Sequence, residues 1–265
     1  MATIETRPAV LAPVQPLGVS WCRPAPPKRS GCCCIYVRTP PKRPDPAIYS
    51  QDEQLQFGQL PTWDSPDILT NHFVPWKLFA EVPVTVRNLS PLVNAVNAEV
   101  TLSISAFGIG MKRTPVSTQI ISLAPGQQIV LQYPLPQSVL AGDQRIGAFV
   151  EIYHPHDSVK VNSRGAQMIA GVQTTVDGRN PTKNFPVMND SSTVRTIALS
   201  TLPNNVGASV TPASHGFAPW EQIAATLHLH VPADLHNTTE RVTVVARGPG
   251  GEVIGGLTYV VRVDD

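Results

Sequence analysis

The sequence predicts an all-β protein: two sandwich domains in tandem behind an extended, proline-rich N-terminal arm. Three observations carry that expectation. From about Leu78 onward, short segments alternate apolar and polar residues with the period of a half-buried strand. Turn signals interrupt these segments at intervals of roughly 8–12 residues, the rhythm of a sandwich or barrel. The 27 prolines in 265 residues leave few stretches in which a long helix survives.

The arm comes first. Residues 1–66 hold twelve prolines, including Pro24-Ala-Pro-Pro27, Pro40-Pro41 and Pro44-Asp-Pro46, a spacing that favours polyproline-type extension. Only Gly31–Thr39, with Ile35-Tyr36-Val37, has the composition of a short strand. Residues 1–50 carry seven basic side chains (Arg7, Arg23, Lys28, Arg29, Arg38, Lys42, Arg43) against Glu5 and Asp45. The other 215 residues hold thirteen Lys or Arg and seventeen Asp or Glu. A basic arm on a mildly acidic body suits contact with an acidic partner surface, nucleic acid or a neighbouring copy.

The first sandwich is expected over residues 67–170. Glu81–Asn88 places Val82, Val84 and Val86 on one face. Ala98–Phe107 alternates again, with Val100, Leu102, Ile104 and Ala106 on one side. Thr118–Leu123 and Gln128–Leu135 read as strands joined by the turn Ala124-Pro-Gly126. Ile146–Tyr153 follows, His154-Pro-His-Asp157 turns the chain, and Ser158–Ser163 is expected to return it. Six or seven such strands make an immunoglobulin-like sandwich.

The stretches "EVPVTVRNLSPLVNAVNAEVTLSIS", "ISLAPGQQIVLQYPLP" and "GAFVEIYHPHDSVKVNSRG" carry a resemblance to the bacterial and archaeal CARDB-type immunoglobulin-like module. A strand ending in V-x-N (here Arg87-Asn88), an L-x-P-G turn (Leu123-Ala-Pro-Gly126) and a closing hairpin (His156-Asp-Ser-Val-Lys-Val-Asn162) correspond over roughly residues 78–168. The family contains extracellular and cell-surface modules, so the resemblance implies a sandwich used for contact.

A second immunoglobulin-like sandwich is expected over residues 171–265, similar to the first in layout. Pro186–Asn189, Thr193–Leu199, Ser209–Thr211, Gln222–Val231, Glu240–Arg247 and Leu257–Val263 read as strands. Phe217-Ala-Pro-Trp-Glu221 sits where the L-A-P-G-Q turn sits in the first, and Gly248-Pro-Gly-Gly251 is a further turn. Asp177-Gly178 to Lys183 reads as a linker or long connecting hairpin.

Residues that could carry chemistry are few. All four cysteines, Cys22 and Cys32-Cys33-Cys34, fall in the arm, and adjacent cysteines lack the C-x₂₋₄-C spacing with which two thiolates reach one zinc ion. Free packed thiols, acylation beside basic residues or disulfides remain open for them. His228 and His230 share a strand face, and His154 and His156 flank a proline, with no further ligand assignable to either pair. G-x-S-x-G, H-E-x-x-H, Walker A and G-x-G-x-x-G motifs are all missing from the sequence. No cofactor, metal site or catalytic residue is therefore assigned, and an enzyme is not expected. The first residues lack the basic-then-apolar order of a secretory signal, and no apolar run reaches the length of a membrane span. The expectation is cytoplasmic synthesis, with incorporation into a particle or leaderless export.

The best interaction candidates are Trp63 and Trp76, set in a proline-pinned path just before the first sandwich, with Arg38 and Arg43 of the arm and Trp220 on the Phe217–Glu221 turn. Trp is over-represented at binding hot spots. The plain alternative for Trp63 and Trp76 is that they pack the arm onto the adjoining domain. The leading expectation is a structural or adaptor protein in a bacterial or phage-like multi-subunit assembly. Its partners are then other proteins or copies of itself, met through sandwich edges, loops and the arm. The alternative is a carbohydrate or cell-surface recognition module in which Trp220 stacks on a sugar, with nucleic-acid contact through the basic arm behind both.

Overall fold

The structure, a computed structural model, describes residues 42–72, 77–174 and 180–264. Strands dominate it. They are β1 (Pro46–Ala47), β2 (Asn71–His72), β3 (Lys77–Leu78), β4 (Glu81–Asn88), β5 (Ala95–Ala106), β6 (Thr114–Leu123), β7 (Gln128–Pro134), β8 (Ile146–Tyr153) and β9 (Arg164–Thr174) in the first half. The second half adds β10 (Thr182–Met188), β11 (Arg195–Thr201), β12 (Gly207–Thr211), β13 (Ser214–Phe217), β14 (Gln222–His230), β15 (Thr238–Arg247) and β16 (Val253–Val263). Two short helices, α1 (Gln51–Gln56) and α2 (Gln137–Leu140), complete the set with one 3₁₀ turn at Lys160–Asn162. The fold is all-β, with two immunoglobulin-like sandwiches.

In the first sandwich the sheet β1-β4-β7 faces β6-β5-β8 and the first half of β9. The alternation read from Glu81–Asn88 holds: Val82, Val84 and Val86 are fully buried. They meet Val100 and Leu102 of β5 and Ala148 and Val150 of β8 in one core. Tyr133 of β7 ties the two sheets together, its buried hydroxyl donating to the carbonyl of Val100 at 2.7 Å. The alternation on β5 breaks at its end, where Ser105 is buried and Ala106 exposed.

The second sandwich sets β10-β14-β12 against β13-β11-β15-β16. Phe185, Leu227, Val244 and Val261 lie in its core. The two sandwiches belong to one compact unit, Pro41–Asp265. They share a strand. The first half of β9 pairs antiparallel with β8, from Glu151↔Arg164 to Gly147↔Met168. Its second half pairs parallel with β16, from Thr258↔Ile169 to Val263↔Thr174. One eight-stranded sheet, β13-β11-β15-β16-β9-β8-β5-β6, therefore runs through both halves. The division expected at residue 170 falls inside β9.

Two further contacts fuse the halves. Ile109, from the loop after β5, is 1% exposed and forms a parallel bridge to Val187 of β10. Its amide donates to the Pro186 carbonyl at 3.0 Å, and the Met188 amide donates to its carbonyl at 2.9 Å. Gly110, at φ 71°, makes this approach possible, because a Cβ there would run into the Met188 carbonyl. Trp63 supplies the other contact, as described below.

One expected strand is corrected. Ser158–Ser163 is a bend and the 3₁₀ turn, and the return strand is β9, which begins at Arg164. Side chains capture the backbone here: Ser163 Oγ donates to Lys160 O at 2.7 Å, and Asp157 Oδ1 accepts from the Val159 amide at 3.1 Å. Such local bonds compete with a ladder. Of the segment read as a linker, Thr182 and Lys183 already belong to β10, and residues 175–179 lie outside the described residues.

The described part of the arm is laid along the body. Pro46 and Ala47 pair with Asn88 and Arg87 of β4. Helix α1 occupies the proline-free stretch between Pro46 and Pro61, with Ser50 as its N-cap. Gln51 clamps β9, donating to the Ala166 carbonyl at 2.8 Å and accepting from the Ala166 amide at 3.0 Å. Asp67 receives both terminal nitrogens of Arg87 at 2.6 Å and the Tyr49 amide at 2.6 Å.

Candidate functional site

The two sandwiches repeat one local device, and the candidate site is where the repeat departs from itself. At the end of β4, Asn88 is fully buried, and its amide nitrogen donates to the carbonyls of Val93, Leu123 and Ala124. At the end of β10, Asn189 is equally buried and donates to the carbonyls of Thr193 at 2.8 Å and Ala218 at 2.9 Å. Each Asn Oδ1 accepts from the amide two residues on, Ser90 or Ser191. A compact side chain that both donates and accepts thus closes each strand end against a later turn, two strands on from β4 and three strands on from β10.

Those turns match atom for atom. The Gln127 side chain accepts from the Ala124 amide at 2.8 Å, and the Glu221 carboxylate accepts from the Ala218 amide at 2.7 Å. The Gln127 amide donates to Ala124 O at 3.1 Å, and the Glu221 amide to Ala218 O at 3.2 Å. Both turns place their fourth residue in the left-handed region: Gly126 at φ 69° and Trp220 at φ 60°. Glycine adopts that conformation freely, whereas a bulky side chain there is an outlier that costs about 1–2 kcal/mol.

The indole gains no core contact in return. Trp220 is 58% exposed, and Val194, on the loop held by Asn189, is 76% exposed. The surroundings are polar and hydrogen-bonded. The backbone bond and His215, whose Nε2 lies 3.4 Å from the carboxylate, hold the Glu221 carboxyl below its usual range. His215 packs edge-on against Phe217 at 4.7 Å. Arg195 reaches Glu252 at 2.9 Å and so ties this end to the β15–β16 turn. The result is a large apolar side chain presented on a hydrogen-bonded turn.

The other sequence candidates fare differently. Trp63 is 4% exposed and sits in the core of the second sandwich, so its indole is spent inside the chain rather than on a partner. Its amide donates to Thr258 Oγ1 at 3.0 Å, its carbonyl accepts from the Met168 amide at 2.8 Å, and its ring lies where a Cβ on Gly256 would be. Arg43 is exposed and lines a shallow depression with Lys42, Val93, His154 and His156. Arg38, Trp76 and the four cysteines lie outside the described residues.

The histidine pairs make ordinary contacts. His154 is buried, with Nδ1 accepting from the His156 amide at 3.2 Å and Nε2 lying 3.1 Å from Val96 O. His230 Nδ1 lies 2.6 Å from Asn180 Oδ1. Among the described residues no three His, Cys, Asp or Glu side chains come together as metal ligands. No described helix is long and apolar enough to cross a membrane.

A cleft of about 230 Å³ lies where the two sandwiches meet. Arg113 covers the Phe149 ring there at 3.9 Å, and Arg164 lies 3.3 Å from Glu151, with Asp52 and Asp190 nearby. The ionisable side chains of its lining are the carboxylates Asp52, Glu151 and Asp190 and the guanidinium groups Arg113 and Arg164.

No family model matches the chain, and no curated protein does. Among solved structures it is similar to CBD12 from CALX1.2, with 12% identity and a TM-score of 0.23 over 74% of this chain and 100% of that one. It is similar to the collagen adhesin CNA from S. aureus, with 10% identity and a TM-score of 0.19 over 74% and 93%. The BSP domain of a biofilm associated protein gives 8% identity and a TM-score of 0.25 over 74% and 57%.

Proposed function

We propose that this chain is a non-enzymatic protein-interaction module whose second sandwich presents Trp220 to a partner protein. One observation carries the reading: a 58%-exposed tryptophan occupies the left-handed position that glycine fills in the matching turn. A side chain that strains the backbone without packing in its own core is best explained by what it does outside. The finer reading is a structural or adaptor part of a bacterial or phage-like assembly, with the first sandwich CARDB-like and residues 1–41 as a second contact. What supports it is the doubled Asn-and-turn device, the strand shared between the two sandwiches and the basic composition of that segment. Photocrosslinking tests it. A photoreactive residue at Val194, 76% exposed on the adjoining loop, should give a discrete protein adduct in cells that Trp220→Ala removes. The same probe at Leu92, which is 65% exposed, should give none. Equal labelling from both positions, no adduct at 194, or an adduct that Trp220→Ala leaves intact would remove the reading.

A second reading, stacking of the indole on a carbohydrate, draws on the hydroxyls of Ser191 and Thr193 on the neighbouring loop, 2.9 Å apart. A glycan-array signal abolished by Trp220→Ala would favour it, and no signal from the full chain would remove it.

A further inference from the structure

From Thr114 to Gly142 the chain includes no Asp, Glu, Lys, Arg or His, a run of 29 residues in a sequence whose 15% charged content would place about four there. The run contains β6 and β7. Among described strands of seven or more residues, these two alone lack an acidic, basic or histidine side chain. Both are sheet ends: β6 closes the eight-stranded sheet and β7 the three-stranded sheet of the first sandwich. The uncharged run thus forms one side of the molecule, bridged by Gln119, which donates from β6 to the Gln132 carbonyl of β7 at 2.8 Å.

The other sheet ends are guarded in the usual ways. At the far end of the large sheet, β13 has only four residues. The outer edge of β10 carries Lys183 and Pro186 and is capped by Ile109. Strand β12 has five residues. By contrast β6 has ten, and its guards, Lys112, Arg113 and Pro115, all stand at its start. From Val116 to Leu123 nothing opposes pairing, and Ile120 there is 68% exposed, with Val130 of β7 54% exposed.

We infer that β6 is a docking edge for a second copy of this chain, pairing antiparallel with its own counterpart about a two-fold axis and doubling the large sheet. Among the described residues no strand pairs with the outer side of β6, and the amides and carbonyls of a strand edge are satisfied in register by another strand. The best match is a strand likewise uncharged over the same length, because β6 offers a charged side chain no cross-strand partner of opposite sign. The edge meets this condition against itself, and antiparallel self-pairing generates the closed two-fold contact commonest among homo-oligomers. The surface is separate from the Trp220 turn, so the two proposals fail independently.

Sedimentation of the full chain between about 1 and about 100 μM decides it. The expected result is a dimer, with amides of β6 that exchange more slowly with deuterium as concentration rises. Ile120→Lys sets two like charges near the axis and should weaken the dimer by at least about tenfold. As residue 120 is largely exposed, its melting temperature should stay near that of the wild type, and Trp220→Gly should dimerise normally. A monomer throughout that range overturns the inference. So does a dimer that Ile120→Lys leaves intact, or one lost on removing residues 1–41 without any concentration-dependent protection of β6, which would make that segment the occupant.

Discussion

Asn88 and Asn189 each make three or more hydrogen bonds from the side chain to backbone groups, all lost if the side chain is removed. Asn189→Ala should cost roughly 1–3 kcal/mol, read as a lower midpoint in chemical denaturation with an unchanged slope. A pH effect belongs to Asp45. Its carboxyl is raised above 3.8 chiefly by burial, with Asp157 adding to the rise and the Asn162 bond opposing it. A carboxyl raised in the folded state contributes stability that is fully present below its ordinary value and is lost as pH climbs through the raised one. The stability of wild type relative to Asp45→Asn should therefore fall as pH rises from about 4. A difference that is flat with pH would refute this assignment. Both Asn residues were legible as strand ends, and the Phe217–Glu221 turn as the counterpart of Leu123–Gln127. That Trp220 holds a left-handed φ was not, because the identity of a turn residue does not reveal its backbone angle.

Strands buried on one face announced themselves, and those buried on both did not. Glu81–Asn88 and Ile146–Tyr153 have the bounds read from the sequence, since Val82, Val84 and Val86 alternate with polar neighbours. In β9, six consecutive residues from Gly165 to Ala170 are buried, which erases the period of two. Its parallel partner lies some ninety residues away, beyond any local pattern. Trp63 depends on the same junction, since it lies between β9 and β16 and hydrogen-bonds to both. Trp63→Ala should cost about 3–5 kcal/mol. It should also speed deuterium exchange at the parallel β9–β16 ladder more than at β4. Uniform loosening of both would count against Trp63 as the element that couples the halves.

At the scale of the whole molecule, two sandwiches legible as separate units form one body through a shared strand, the Ile109 bridge and the wedged Trp63. Residues 42–66 belong to that body, so an arm truncation that preserves the fold starts at Lys42 rather than at Asp67. What such a body offers is a fixed geometry between two surfaces: the uncharged edge of the first sandwich and the Trp220 turn of the second. The account stands or falls on whether Trp220 serves recognition and not the fold. The melting temperature of Trp220→Gly, the residue that the first sandwich uses at this place, measures it most directly. Relief of the left-handed strain, about 1–2 kcal/mol, set against the added chain entropy of glycine, about 0.5–1 kcal/mol, predicts a melting temperature no lower than the wild type's and up to about 4 °C higher. A clear fall would show that the indole is holding the sandwich together and would contradict the account.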